Sequence, residues 1–372
     1  MNQPTLAQVD FNLHGFVGIR LIDATPGDVK TITRQLGPIQ APLNGAPDIT
    51  IRFVDQFQLS SRLRYLGVND AAFTDDGFFI LRGKHKTRTL VYLPFAKLGE
   101  PCEIVCERGG AAVPLLIAII NLTALNKGVL PFHASAFLYN GTGILTTGWA
   151  KGGKTETLLS FMAQGATYVG DEWVYLSPDG KRMYGIPEPI RIWEWHLQEV
   201  PQYWSAVSRS DRARLRTLKF AAQTLESLSP KGKKGPAKLL NRVAHLVRQQ
   251  LYVHIPPQKL SGQKFEPMMA DLNKIFFVAS HETDDITVKP MDPQEIAERM
   301  VFSLQLERAD LLAYYLKFRF AFPQARNELL EQAEERQRRL LKQMLAGKES
   351  YSVYHPYPVS IPALFEAIRP LL

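Results

Sequence analysis

Gly148-Trp149-Ala150-Lys151-Gly152-Gly153-Lys154-Thr155 is the stretch from which the chain is best read. It fits the phosphate-loop pattern G-x-x-x-x-G-K-[ST] with no mismatch. Average residue frequencies produce such a match by chance in roughly one of a hundred chains of this length. Its flanks agree with it. Thr142 to Thr147 reads as a strand running into Gly148, and Thr155 to Gln164 as a helix with Leu158, Leu159 and Met162 on one side. Gly165 then stands at the helix stop. The glycines let backbone N–H groups converge on phosphate oxygens, and the helix N-terminus adds partial positive charge. Lys154 is placed to reach the β- and γ-phosphates, and the Thr155 hydroxyl to ligate Mg²⁺. An ordinary glycine-rich strand-to-helix turn is the bland alternative. The stretch is expected to bind a nucleotide phosphate, with ATP as the default.

Upstream, Pro131 to Tyr139 has strand character and ends at Asn140-Gly141. Asn-Gly between two apolar runs is a strong hairpin signal, because a two-residue turn of this type needs positive φ at both positions. Counting outward pairs Tyr139 with Thr142, Phe137 with Ile144 and Ser135 with Thr146, so that His133 falls opposite Gly148. A histidine is thereby set at the mouth of the loop. The structural alternative is a histidine satisfied by backbone at a strand end.

Downstream, Gly165-Ala166-Thr167-Tyr168-Val169-Gly170-Asp171-Glu172 is a short strand ending in two acids, one crossover after the loop. That is where a βαβ unit places carboxylates beside Mg²⁺. One acid can hold the metal while the other orients or deprotonates an attacking hydroxyl. Gly185 to Ile192 reads as a stiff extended connection, in which Arg191 either stabilises transferred phosphate charge or is a surface arginine. His355, among Tyr354 and Tyr357, reads as packing against aromatics.

A chain of 372 residues, 45% hydrophobic and 22% charged, has room for a sizeable core and two domains. Met1 to Asp10 lacks the pattern of a signal peptide. The longest apolar run, Ala111 to Leu125, is too short to span a bilayer and reads as a buried helix starting near Pro114. Only Cys102 and Cys106 occur, on a strand-like stretch that sets them roughly 13 Å apart, too far for a disulfide. A reducing, cytoplasmic setting is the simplest expectation. Residues 206 to 264 hold 13 Lys and Arg against two acids; since the whole chain is +8, the remainder sums to −3. The basic excess belongs to one helical insertion, about 197–262, with Arg209, Arg212, Arg214, Arg216 and Lys219 on its first helix. A solvated insertion is one reading. The functional one is a surface for an acidic protein or peptide, since no nucleic-acid motif accompanies the charge.

Two domains are expected: a β-rich N-terminal domain over 1–108, for assembly or partner recognition, and an α/β phosphate-loop domain with a mixed sheet over 109–372. Expected helices include Pro26 to Leu36, Pro293 to Phe318 and Gln324 to Ala346.

His133-Ala134-Ser135-Ala136, Gly153-Lys154-Thr155-Glu156, the 165–172 phrase and Gly185-Ile186-Pro187, in that order, resemble the HPr kinase/phosphorylase-related serine kinases, whose core is similar to phosphoenolpyruvate carboxykinases. The resemblance covers roughly residues 112 to 195, with a looser likeness through 273 to 306. It implies transfer of phosphate from ATP, with Mg²⁺, to a serine or threonine hydroxyl, and a tendency to form homo-oligomers. By that likeness Lys154 grips phosphate, Thr155 holds Mg²⁺, and His133 sits beside Asp171, which accepts the hydroxyl proton. Glu172 is the second carboxylate and Glu156 the last signature residue after the loop. The chain departs from the family pattern at Glu172, where an aspartate is usual, and at Ala150-Lys151, where Ser-Gly is common. The alternatives carried with this reading are a small-molecule hydroxyl as acceptor, reversal by phosphate, a nucleotide-gated binding protein that moves no phosphate, and a simple ATPase.

Overall fold

Alternate burial along the early strands sets up the first layer: Val17, Ile19, Leu21 and Ala24 point inward, as do Ile49, Ile51 and Phe53. The computed structural model describes residues 6–67, 70–84, 87–227, 236–261 and 268–372. The first sheet comprises β1 (Leu6–Leu13), β2 (Val17–Ala24), β3 (Ile49–Val54), β4 (Arg64–Leu66), β5 (Ala71–Phe73), β6 (Phe78–Lys84), β7 (Thr87–Tyr92) and β8 (Cys102–Glu107). Its order is β1-β2-β3-β8-β7-β6-β5-β4. The β2–β3 and β3–β8 pairs are parallel and the others antiparallel. Between β2 and β3 runs α1 (Pro26–Leu36), started by a reciprocal capping box between Thr25 and Asp28.

After α2 (Leu116–Asn126) the second sheet begins with β9 (Leu130–Tyr139) and β10 (Thr142–Thr147). Then follow α3 (Lys154–Met162), β11 (Thr167–Gly170), β12 (Trp173–Leu176), β13 (Arg182–Gly185) and β14 (Ile190–Trp193). The basic region holds α4 (Glu194–Glu199), α5 (Arg209–Ser227), α6 (Pro236–Arg248), β15 (Tyr252–Ile255) and α7 (Pro257–Ser261). The chain returns through β16 (Met269–Asp271), β17 (Lys274–Ser280) and β18 (Thr287–Pro290), then α8 (Pro293–Glu307) and α9 (Ala309–Ala321). It closes with α10 (Glu328–Glu331), α11 (Ala333–Leu345), β19 (Glu349–His355) and α12 (Ile361–Ile368).

The second sheet has the order β16-β13-β12-β9-β10-β17-β19-β18, with β11 also on β9. It is mixed: β10, β17 and β19 run parallel, whereas β9 is antiparallel to its neighbours. Both faces of its centre are covered, so β9, β10 and β17 are buried along most of their length, while the edge strands β16 and β18 are not. Phe276 and Val278 pack with α3 and α12 residues, while Ile275 and Phe277 face α8 and α11. The fold is therefore mixed α/β, and no helix among the described residues is long and apolar enough to cross a membrane. The core over the first sheet also takes in α2, Leu311, Tyr315 and Phe318 of α9, and Leu329, Leu330 and Ala333.

Several expectations shift. The helix expected over Pro293 to Phe318 is two helices meeting at Arg308, a buried residue whose guanidinium hydrogen-bonds the Gln337 side chain. The one expected over Gln324 to Ala346 starts anew at Asn327, whose side chain accepts from the Leu330 N–H and caps α10. The extended connection over Gly185 to Ile192 ends in β14, which pairs with β15 beyond the basic helices. On α6, whose sequence pattern gives Leu240, Val243, Leu246 and Val247 as the apolar side, Ala244 is buried and Leu240 and Val247 are half-buried, while Val243 and Leu246 face solvent. Of the loop expected at Pro230 to Pro236, residues 230–235 lie outside the described residues.

Cys102 and Cys106 lie on β8 as free thiols. Burial, with a smaller push from Asp48 and Asp28 respectively, raises the first to about 11 and the second to about 12. At pH 8 the native chain should therefore react with iodoacetamide more slowly than the urea-unfolded chain, roughly 100-fold at Cys102 and roughly 1,000-fold at Cys106. Peptide mass spectrometry of timed samples reads this directly; fast labelling of native Cys106 would contradict the burial.

Candidate active site

The Asn140-Gly141 turn takes φ of 49° and 79°, both in the left-handed region that such a hairpin demands. From it the ladder runs Tyr139–Thr142, Phe137–Ile144, Ser135–Thr146 and Ala134–Thr147. His133 and Gly148 are the next step beyond the last pair, and the Thr147 hydroxyl donates to the His133 carbonyl at 3.2 Å. The other edge of β9 pairs His133 with Trp173 of β12. One strand thus joins the glycine loop on one side to the acidic strand tip on the other.

That tip is tightly bent. The Trp173 N–H donates to the Asp171 carbonyl at 2.8 Å, and Glu172 between them has a φ of 64°. This is a three-residue γ-turn with a non-glycine residue in a strained conformation. The Ala134 N–H donates to the Glu172 carbonyl at 3.2 Å, which ties the bend to β9. The Glu172 carboxylate lies 3.3 Å from Nε2 of His133. On the opposite side of the ring, Nδ1 lies 3.0 Å from the carboxylate of Glu307 at the end of α8. Nδ1 lacks a well-aligned hydrogen bond, so this second contact is ionic. Burial disfavours the charged ring, yet Glu172 and Glu307 outweigh it and raise the His133 pKa.

The loop itself is curled by Gly148, Lys151 and Gly153, with φ of 150°, 64° and 107°. A Cβ on Gly148 would meet the Val278 carbonyl oxygen at 2.2 Å, and one on Gly153 would meet Nε2 of His355 at the same distance. His355 is fully buried beneath the loop, where Nε2 donates to the Gly152 carbonyl at 2.9 Å. The aromatic packing expected for it gives way to this role as a prop. Nζ of Lys154 donates to the carbonyls of Trp149 and Gly148 at 3.0 and 3.3 Å, and burial lowers its pKa.

Thr155, first turn of α3, points its hydroxyl at Asp171, 3.2 and 3.3 Å from the two carboxylate oxygens. Asp171 is 4% exposed, and burial together with the charge of Glu172 pushes it up to about 7, against the Thr155 hydrogen bond. Glu172 moves the other way, lowered chiefly by its hydrogen bond to His133. Glu188 is pushed up to about 8 by burial and by the charges of Glu172 and Asp171. Arg191 is exposed with its guanidinium 4.8 Å over the Tyr252 ring; its charge still helps lower Glu172. Glu156 turns away from the loop. Its carboxylate meets Nε2 of His196 at 3.1 Å, and because Nδ1 of that ring accepts from the Trp193 N–H, Nε2 carries the proton. Trp149, Ala150 and Lys151 form the outer rim, with Trp149 and Lys151 exposed.

Lys154, Thr155, Asp171, Glu172 and His133 are therefore brought together, while Glu156 and Arg191 stand aside. Sequence reasoning missed Glu307, Glu188, His196 and the prop His355. Only Glu188 carried a local signal, lying between Pro187 and Pro189 in a segment already singled out. The oxygen set suits Mg²⁺. Among the described residues no group of three or more His, Cys, Asp or Glu is arranged to enclose a metal. A nucleotide-borne Mg²⁺ needs only one or two protein oxygens beside phosphate and water, and Thr155 and Asp171 offer them side by side.

Gly153→Ala should lower the unfolding free energy by roughly 2–4 kcal/mol, from positive φ and the collision with His355. Adding His355→Ala should return part of that loss, since it removes the collision but not the φ strain; strict additivity in urea melts would show the two residues uncoupled. Glu172→Gly should leave stability unchanged or raise it by about 1 kcal/mol, because it relieves the γ-turn and the repulsion on Asp171. A clear fall in stability would mean that the His133 contact outweighs the strain.

No protein-family model matches this chain, and no curated protein sequence matches it.

Proposed function

We propose that the chain is an ATP- and Mg²⁺-dependent kinase that transfers the γ-phosphate to a serine or threonine hydroxyl of a protein or peptide. The observation that carries this reading is the Thr155–Asp171 contact, with Lys154 and the His133–Glu172 pair around it. The loop's N–H groups and Lys154 hold the polyphosphate. Thr155 and Asp171 would hold Mg²⁺, which would supply positive charge to offset that of the phosphates. Asp171 faces the entering hydroxyl and takes its proton as the acceptor oxygen bonds to phosphorus; the bond from the γ-phosphorus to the β–γ bridging oxygen breaks, and ADP leaves. A carboxylate held near neutrality is well matched to that task. His133, its pKa raised between Glu172 and Glu307, favours the ionised form of Glu172 and directs it. The likeness to HPr-kinase-type sequences supports the same reading, as does the basic region, a suitable surface for an acidic chain. A cytoplasmic site of action belongs to this proposal.

Labelled ATP incubated with acidic Ser/Thr peptides tests it. Asp171→Asn should reduce transfer by roughly 1,000-fold or more while nucleotide binding stays within a few-fold. Lys154→Ala should abolish nucleotide binding. Nucleotide bound without transfer to any acceptor or to water would instead identify a nucleotide-gated binding protein. Phosphate released to water alone would identify an ATPase.

A further inference from the structure

The outer face of α8 and α9 is apolar where a solvated helix face should be polar. Phe302, Leu306, Ala309, Ala313, Leu316 and Phe320 are all exposed. The four large ones keep 55%, 48%, 68% and 73% of their surface open, in chain order. Their spacing is four, three, four, three, four. Arg308, with φ −91° and ψ −5°, is the single residue between them, so α8 and α9 meet end to end across a break in the helical ladder. Phe302 to Phe320 amounts to about five helical turns, so the six exposed side chains recur at helical spacing over at most about 27 Å.

The stripe is also a palindrome. About Leu311, which faces inward, Phe302 mirrors Phe320, Leu306 mirrors Leu316 and Ala309 mirrors Ala313. Large residues stand at both ends and small ones at the middle. A two-fold axis at Leu311 would lay this stripe antiparallel on its own copy, phenylalanine against phenylalanine, with the alanines letting the backbones approach.

Charge agrees with that register. Arg299, Lys317 and Arg319 flank the stripe, and each is already paired within its own chain, with Glu295, Asp70 and Glu331. A copy would therefore bring up no uncompensated cation. Asp310 would lie opposite Leu312 of the copy, and the two Asp310 side chains on opposite rims. Area agrees as well. The open apolar surface is on the order of 500 Å² per copy, at the top of the range for patches on monomers. With its rim, the pair would bury roughly 1,200 Å², the lower end for a specific interface.

We infer that this stripe is the contact surface of an antiparallel, two-fold homodimer of the chain. The inference rests on the stripe alone and is independent of the kinase reading. Glu307, the partner of His133, follows Leu306 directly, so the interface would border the candidate site.

Light scattering on the eluting full chain, with sedimentation velocity, should give twice the chain mass at micromolar concentration. Phe320→Glu and Leu316→Glu should each weaken association roughly 100-fold and leave the thermal melt of the monomer unaltered, since both side chains are exposed. Direction is read by disulfide trapping. Leu306→Cys and Leu316→Cys chains, mixed and oxidised, should form the mixed dimer, and each alone should stay uncrosslinked, because the two positions lie roughly 15 Å apart along the helices. A monomeric wild-type chain, dimers indifferent to Leu316→Glu and Phe320→Glu, or self-crosslinking of either cysteine chain would each overturn the inference.

Discussion

Charge has to balance wherever water is thin, and at the end of β10 it does not balance from within. Asp171, Glu172, Glu188 and Glu307 crowd around Lys154 and His133, all feeling one another's fields. An uncompensated buried charge costs several kcal/mol, so the groups adjust their protons instead. Two of the acids are pushed toward the neutral form, the imidazole toward the charged one, and Lys154 folds back onto the loop's own carbonyls. Each adjustment is reversible.

Holding such a cluster requires backbone that will not relax. The hairpin ladder supplies it. β9 is hydrogen-bonded along both edges, to β10 on one side and to β11 and β12 on the other, so His133 has little room to move. Left-handed non-glycine residues stand at the edges of this frame, at Asn140 in the turn, at Lys151 in the loop and at Glu172 on the acidic tip. His355 braces the loop from below through Gly152, and a carbonyl of β17 closes on Gly148 so tightly that only glycine fits there. The rigid parts are regular, and the strained residues border the candidate site.

What the sequence discloses follows from range. Asn140-Gly141 fixes its own turn, and counting from it reaches His133 and Gly148 within a few residues, so the hairpin register is legible. The loop and the Asp171-Glu172 tip announce themselves by spacing. Glu307 does not: it reaches His133 from the end of a helix remote in sequence, and a glutamate at a helix end is ordinary. His355 misleads because its tyrosine neighbours suggest an aromatic cluster, while its true partner is a carbonyl two hundred residues earlier. The break at Arg308 is equally hidden, since both flanking segments keep a helical pattern and the buried partner of its guanidinium, Gln337, is remote in sequence. The pairing of β14 with β15 depends on closure across the basic helices, which local patterning does not encode.

Arg308 also explains how distant parts of the chain bear on one another. It joins α8, whose final residue Glu307 contacts His133, to α9, whose inner residues Leu311, Tyr315 and Phe318 complete the core over the N-terminal sheet. Burial lowers the pKa of its guanidinium, and its anchor, Gln337, lies on α11, which packs against α8. A buried arginine held this way tolerates little displacement, because moving it would strand a charge in an apolar setting. Arg308 thus stands between the helix end that contacts His133 and the helix that completes the core over the N-terminal sheet.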